Sequence, residues 1–346
     1  MKTFTKLALA VVAIGAMVSS CSKQESRYNL KGEFDEKSNN STVLLISFSN
    51  GDTIATGTVE NGGFIFSDTI STPELVQVRI GGRSAGYVVL EPGDILLQPR
   101  AKVSGTPLND LLGSYYDAQA MMYDKISTIE EEDPEAETKA EEISNQFKAY
   151  EDSLIAANLD NPVGATLLIS NAYDLTADEI KSKMDQYPSL KKYSKLNKIY
   201  QQKLVAAETA EGQPYKDFEI TYDGKTTKLS DLMVPGHYTL VDFWASRCGP
   251  CRREIPVIKE ILKEWGPIGL DVVGVAVWDE PDDTKKAIEE LEITWPVIID
   301  AKTVPTDMYG ILGIPSIFLI DPNGVIVSRN KQGEELKAAV AQAMTK

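Results

Sequence analysis

The sequence predicts an α/β layer fold at its C-terminal end, preceded by a small antiparallel β domain and a helical segment. Three patterns predict it. Short strand-like runs divided by glycine-containing turns fill residues 28–106, and apolar residues at steps of three and four fill 107–205. From residue 215 onward, strand-like and helix-like runs alternate. The chain has 346 residues, 42% hydrophobic and 25% charged, as a folded protein does. Its length allows two or three domains at about 100–200 residues each. The net charge of −16 repels phosphate backbones, so nucleic acid is not expected as a partner. Three cysteines and one histidine, scattered along the chain, can neither close a structural zinc site nor staple a disulfide scaffold.

Residues 1–20 read as an address. Lys2 and Lys6 give a basic start, and Leu7 to Val18 is an apolar run too short for a bilayer, which needs about 20 residues. The run ends in Val18-Ser19-Ser20-Cys21, small residues directly before a cysteine. That ending resembles the lipobox of bacterial lipoproteins. The resemblance implies a lipid on Cys21, a polar tether over 21–27, and anchorage at a membrane surface outside the cytoplasm.

Within 28–106, Val43 to Phe48 runs up to the turn Asn50-Gly51-Asp52. Thr53 to Glu60 forms the next strand, and Phe64-Ile65-Phe66 starts another after Asn61-Gly62-Gly63. Val76, Val78 and Ile80 alternate with Gln77 and Arg79, the pattern of a strand with one wet face. Tyr87 to Leu90 and Ile95 to Leu97 flank a further turn at Glu91-Pro92-Gly93. The expectation is a sandwich or curled sheet without a catalytic constellation.

In 107–205, Ala140, Ile143, Phe147, Tyr150 and Leu154 share one helical face. Leu190, Tyr193, Leu196 and Tyr200 suggest a second such face. Asp133-Pro134 and Asn161-Pro162 break helices, and Thr176 with Glu179 forms a capping box. The aromatic stripes read as core, and Glu130 to Asp133 as a solvated turn rather than a metal site.

Residues 206–214 are small, polar and unpatterned, as a linker would be. The domain at 215–346 follows, with strands expected at Tyr238 to Trp244, Leu270 to Val277, Pro296 to Ile299, Ser316 to Ile320 and Val325 to Ser328. Helices are expected at Cys251 to Trp265, Asp283 to Leu291 and Glu334 to Met344.

The chemistry is carried by Cys248-Gly249-Pro250-Cys251, which directly follows a buried strand and opens a helix. Free N–H groups and the dipole at a helix start stabilise a thiolate at Cys248, and Arg247, Arg252 and Arg253 add positive charge. Cys251, one turn deeper, is shielded. Cys248 can therefore attack a substrate disulfide and Cys251 resolve the mixed disulfide. A metal at this pair lacks two further ligands, since the other candidates are His237 and Cys21. No metal or cofactor is expected.

The stretch FWASRCGPCRREIP resembles the active site of the thioredoxin superfamily. Gly313-Ile314-Pro315-Ser316 resembles its cis-proline loop, and Pro256 the proline that kinks the active-site helix. The resemblance implies a thioredoxin fold in which Ile314 and Pro315 hold a substrate strand and Trp244 packs beside the pair on the substrate side. Within the superfamily, the lipobox and the RREIP continuation resemble the envelope oxidoreductases of the TlpA/ResA type. Residues 28–106 resemble the β domain that precedes such domains in Bacteroidota lipoproteins.

Two acids stand near the pair in sequence. Asp242 lies in an apolar strand, where burial raises a carboxyl pKa. The thioredoxin resemblance implies that it exchanges a proton with Cys251. Glu254 matches the glutamate of the envelope enzymes, which commonly lack the strand aspartate, so two acids compete for one role. Arg247 replaces the usual tryptophan before the first cysteine. Peroxiredoxins place a threonine where Ala245 stands, which argues against a peroxidase.

The expected function is reduction of disulfides in exported proteins, with re-reduction by a membrane thiol electron donor. Gly-Pro between the cysteines resembles the reducing members of the superfamily. Two alternatives remain at the level of sequence. One is an oxidase or isomerase using the same pair. The other is a surface binding lipoprotein in which the redox site is secondary.

Overall fold

The computed structural model describes residues 26–130 and 133–345, which divide into two units at Asn197/Lys198. The signal segment 1–20, Cys21 and residues 22–25 of the expected tether lie outside the described residues. Ser26 and Arg27, also assigned to the tether, already belong to the first strand.

The first unit begins with eight strands: β1 (Ser26–Glu33), β2 (Thr42–Ser47), β3 (Thr53–Thr58), β4 (Gly63–Ile70), β5 (Glu74–Ile80), β6 (Arg83–Leu90), β7 (Gly93–Gln98) and β8 (Lys102–Ser104). They form two four-stranded sheets, ordered β4-β1-β7-β8 and β3-β2-β5-β6. Tyr28 and Leu30 are buried while Asn29 and Lys31 face water, the period of two that half-buried strands require. One pairing departs from the antiparallel expectation: β1 and β7 run parallel, with Leu30 opposite Ile95.

Helices α1 (Pro107–Ser127), α2 (Ala136–Asn158), α3 (Pro162–Asn171) and α4 (Ala177–Gln186) follow. Buried polar side chains dock them. Asn109 accepts from the Val89 amide at 2.9 Å and donates to the Val89 carbonyl at 2.7 Å, a strand-like pairing made by a side chain. Glu151 accepts from the Tyr115 hydroxyl at 2.7 Å and the Asn171 amide at 2.8 Å, joining three helices. Ile143, Phe147, Tyr150 and Leu154 do share the inward face of α2, and the Thr176–Glu179 capping box is present. The second expected face is interrupted. Leu190 sits in a 3₁₀ turn (Pro188–Lys192), Tyr193 is extended, and α5 (Ser194–Ala207) starts afresh where Ser194 donates to the Ser49 carbonyl. Pro188 stands at the start of the 3₁₀ turn, where its missing N–H costs nothing, and the break itself falls at the extended Tyr193.

The second unit contains a hairpin, β9 (Glu219–Tyr222) with β10 (Lys225–Lys228), and then β11 (Tyr238–Trp244), α6 (Gly249–Trp265), β12 (Leu270–Ala276), α7 (Pro281–Glu290), β13 (Val297–Ile298), α8 (Val304–Tyr309), β14 (Ser316–Ile320), β15 (Ile326–Arg329) and α9 (Gly333–Met344). The sheet order is β13-β12-β11-β14-β15; β11, β12 and β13 are parallel and β14 and β15 antiparallel. β11 is central, and alternate residues serve two cores. Val241 and Phe243 join Phe218, Tyr309 and Phe318 on one side, while Leu240 and Trp244 join Cys251, Ile255 and Ile258 of α6 on the other. The sequence pattern did not reveal α8. It packs so closely on α5 that Gly310, at φ 62°, leaves no room for a Cβ against the Gln202 carbonyl.

Residues 206–214 are bound along their length. Gly212 donates to the Ile326 carbonyl, Ile326 to the Gln213 carbonyl, and Pro214 bridges Val325. The Arg329 guanidinium donates to the carbonyls of Ala206, Thr209 and Tyr309, each at 2.8 Å, and stacks on Phe318. Among the described residues, no helix is long and apolar enough to cross a membrane.

Candidate active site

The site forms where the central strand ends and the polarity of the sheet edge changes from strand to helix start, a place where α/β sheets collect their ligands. β11 runs buried to Trp244, turns through Ala245 to Arg247, and delivers Cys248 as the N-cap residue of α6. Cys248 has extended backbone (φ −80°, ψ 103°), and its carbonyl accepts the first helical bond, from Arg252 at 3.0 Å. Its sulfur accepts the Cys251 amide at 3.1 Å, one of the orphan donors that a helix start leaves open. Gly249 and Pro250 occupy the first turn, where proline loses nothing by having no N–H.

Cys248 and Cys251 are joined as a disulfide. The two sulfurs differ in access: Cys251 is fully buried, and Cys248 is partly exposed. A substrate can therefore meet only Cys248. The Ile314–Pro315 bond is cis, and the Ile314 carbonyl oxygen lies 3.6 Å from the Cys248 sulfur. Ile314 and Pro315 are both half-buried, and the loop stands beside the exposed cysteine. Ser316 behind it is buried and donates to Asn330 at 2.6 Å.

Trp244 is 0% exposed. The substrate contact expected of it does not fit, because a fully buried indole offers no surface to a bound strand. It supports the pair from beneath, in the cluster that contains Cys251.

Asp242 is 1% exposed, on the same face of β11 as Leu240 and Trp244, and its Oδ1 has no hydrogen-bond partner. Burial first, and the nearby Glu254 charge second, push its carboxyl up to about 8. Glu254 is also buried, but its Oε1 accepts the Gly333 amide at 2.8 Å, at the start of α9. A helix start favours an anion, so Glu254 has a compensating donor and Asp242 has none. The two acids thus differ in their hydrogen bonding.

The cations around Cys248 are less free than the sequence suggests. Arg247 donates to the Trp278 carbonyl at 2.6 Å, and Arg252 pairs with Glu290 at 2.6 Å and reaches the Ser246 carbonyl at 3.3 Å. Arg253 is exposed. Sequence reasoning missed Ser246, Thr284 and Gly333, which carry no motif and become relevant only through tertiary contacts.

A five-stranded sheet of this order, a cysteine pair at the start of the helix after its central strand, and a cis-proline loop facing the exposed sulfur define a thioredoxin-fold dithiol–disulfide protein. Comparison with known proteins agrees. The AhpC/TSA family matches residues 212–329, and a domain of unknown function (DUF4369) matches residues 28–112. The thioredoxin-like protein YneN of Bacillus subtilis is 32% identical over 135 residues, covering 38% of this chain and 76% of that one. The thiol-disulfide oxidoreductase ResA of Geobacillus thermodenitrificans is 30% identical over 118 residues, 34% of this chain and 67% of that one. The crystal structure of the thioredoxin domain of a Bacteroides vulgatus thiol-disulfide oxidoreductase is 31% identical, covering 39% of this chain and 98% of that chain, with a TM-score of 0.35. The chain belongs to the thioredoxin-like thiol-disulfide oxidoreductases of the ResA type.

Proposed function

We propose that this protein reduces disulfides in exported proteins at the outer face of a membrane, held there by a lipid on Cys21 and re-reduced by a membrane dithiol donor. The observation that carries the reading is the unequal access of the pair: Cys248 is open beside Ile314 and Pro315, while Cys251 is sealed. In the reduced protein, the Cys248 thiolate attacks one sulfur of a substrate disulfide. The substrate S–S bond breaks, a mixed disulfide forms, and the leaving sulfur takes a proton. Cys251 then loses its proton and attacks the Cys248 sulfur, which releases the second substrate thiol and closes the Cys248–Cys251 disulfide. The substrate has gained two electrons and two protons, and the donor dithiol must return them.

Asp242 takes the Cys251 proton in this scheme. With its carboxyl pushed up to about 8, Asp242 serves as the base in those molecules where it is ionised, a fraction that grows as the pH rises toward 8. Burial, and after it the neighbouring Glu254, keeps the Asp242 proton affinity high. Ile314 and Pro315 present backbone to the substrate strand. The Gly249-Pro250 spacer supports a reducing role, since thioredoxin itself sits near about −270 mV.

Reduction of insulin disulfides by the full-length protein with dithiothreitol tests the reading. Cys248→Ser is expected to abolish turnover, and Cys251→Ser to accumulate the mixed disulfide. Full activity in Cys248→Ser would remove the proposal.

A further inference from the structure

The loop that presents Cys248 is held from outside its own helix, and one carboxylate does most of the holding. Asp279 lies between β12 and α7, on an element that contributes no cysteine. Its Oδ2 accepts the Ser246 amide at 2.7 Å and the Thr284 hydroxyl at 2.8 Å, and its Oδ1 accepts the Ser246 hydroxyl at 2.8 Å. Both oxygens are thus committed, and Thr284 is wholly buried. The neighbouring residue strengthens the case. Trp278 adopts φ 54°, a left-handed conformation that a bulky side chain rarely accepts. In that conformation its carbonyl takes the Arg247 guanidinium at 2.6 Å, and its amide donates to the Lys302 carbonyl. The two residues immediately before Cys248 are therefore each fastened to one of two consecutive residues on another loop.

We propose that Asp279 is a positioning residue for the redox pair, acting through Ser246 to keep Cys248 at the start of α6 when the disulfide is open. In the oxidised protein the S–S bond itself ties Cys248 to the helix. Reduction removes that tie, and Cys248 is then held over the Cys251 amide by its carbonyl's bond from Arg252 on one side and by the preceding loop on the other. The clamp therefore favours the dithiol form over a form in which residues 245–247 swing free. The inference rests on disulfide exchange at Cys248 and Cys251 but not on its direction, so it survives if the protein proves to be an oxidase.

Asp279→Asn in the full-length protein tests the clamp by amide hydrogen exchange and by equilibration with glutathione. Loss of the charged acceptor is expected to speed exchange at the Ser246 amide about tenfold in the reduced protein, and by less in the oxidised one. The same variant is expected to shift the glutathione equilibrium toward the disulfide by about three- to tenfold. Ser246→Ala keeps the carboxylate and loses one donor, and is expected to shift the equilibrium in the same direction by about twofold. A plain electrostatic role predicts the opposite sign, because removing a negative charge favours the Cys248 thiolate and hence the reduced form. A shift toward the dithiol, or unchanged exchange at Ser246 in reduced Asp279→Asn, would overturn the proposal.

Discussion

At the scale of single residues, the account turns on a carboxyl group kept where water cannot reach it. In the unfolded chain an aspartate titrates near about 3.9, whereas burial raises Asp242 to about 8 in the fold. Between these values the folded protein holds a proton that the unfolded chain has released. Raising the pH therefore lowers stability, starting near pH 4 and ending near pH 8. Asp242→Asn removes the titration, so its advantage over the native protein should grow across that window to a few kcal/mol and then stay level. Urea unfolding at pH 4.5 and pH 8 checks this, and an equal difference at both pH values would contradict it. The same substitution should slow resolution of the mixed disulfide more than the initial attack of Cys248. Stopped-flow fluorescence, resolving the two phases, measures that split.

Among the elements, the most instructive is the segment 206–214, which composition marks as a linker and hydrogen bonding fastens to β15. Arg329 is the fastener, with three carbonyl partners and a ring beneath it. Arg329→Ala should leave the Thr209 carbonyl without a donor and the Ala206 and Tyr309 carbonyls with only the longer bonds from Thr209, and cost roughly 2–4 kcal/mol by urea unfolding. Arg329→Lys should recover little, because an ammonium lacks the planar fork that spans separate carbonyls. Loss below about 0.5 kcal/mol would show the segment to be held otherwise. In the first unit, Asn109→Leu should cost about 2–3 kcal/mol by leaving both Val89 polar groups buried and unpaired. These contacts explain what could be read in advance. The redox pair was legible because Cys248-Gly249-Pro250-Cys251 carries its own context, a buried strand before and a helix after. The α2 face and the Thr176 cap were legible because their signals are local. The parallel β1–β7 pairing, α8, the Arg329 fastening and the Asp279 clamp were not, since each joins residues distant in sequence and none has a period or spacing of its own. Trp244 was misread for a related reason: its place beside the cysteines is set locally, but whether it faces the substrate or the core depends on α6 covering it.

For the whole molecule, the question is which way the electrons flow. Family membership fixes thiol–disulfide exchange, and the site fixes which sulfur meets the substrate. Direction depends on how much the fold favours dithiol over disulfide. The buried and unpaired Asp242, the cations drawn onto Trp278 and Glu290, and the Gly-Pro spacer all bear on that balance. With Arg252 paired to Glu290, part of the positive charge near Cys248 is balanced, which weakens support for the thiolate and argues for a reducing poise. Equilibrating the full-length protein against glutathione buffers measures it directly. The account predicts a reduction potential below about −230 mV, toward thioredoxin; a value above about −180 mV, in the range of protein disulfide isomerase, would contradict the reductase role.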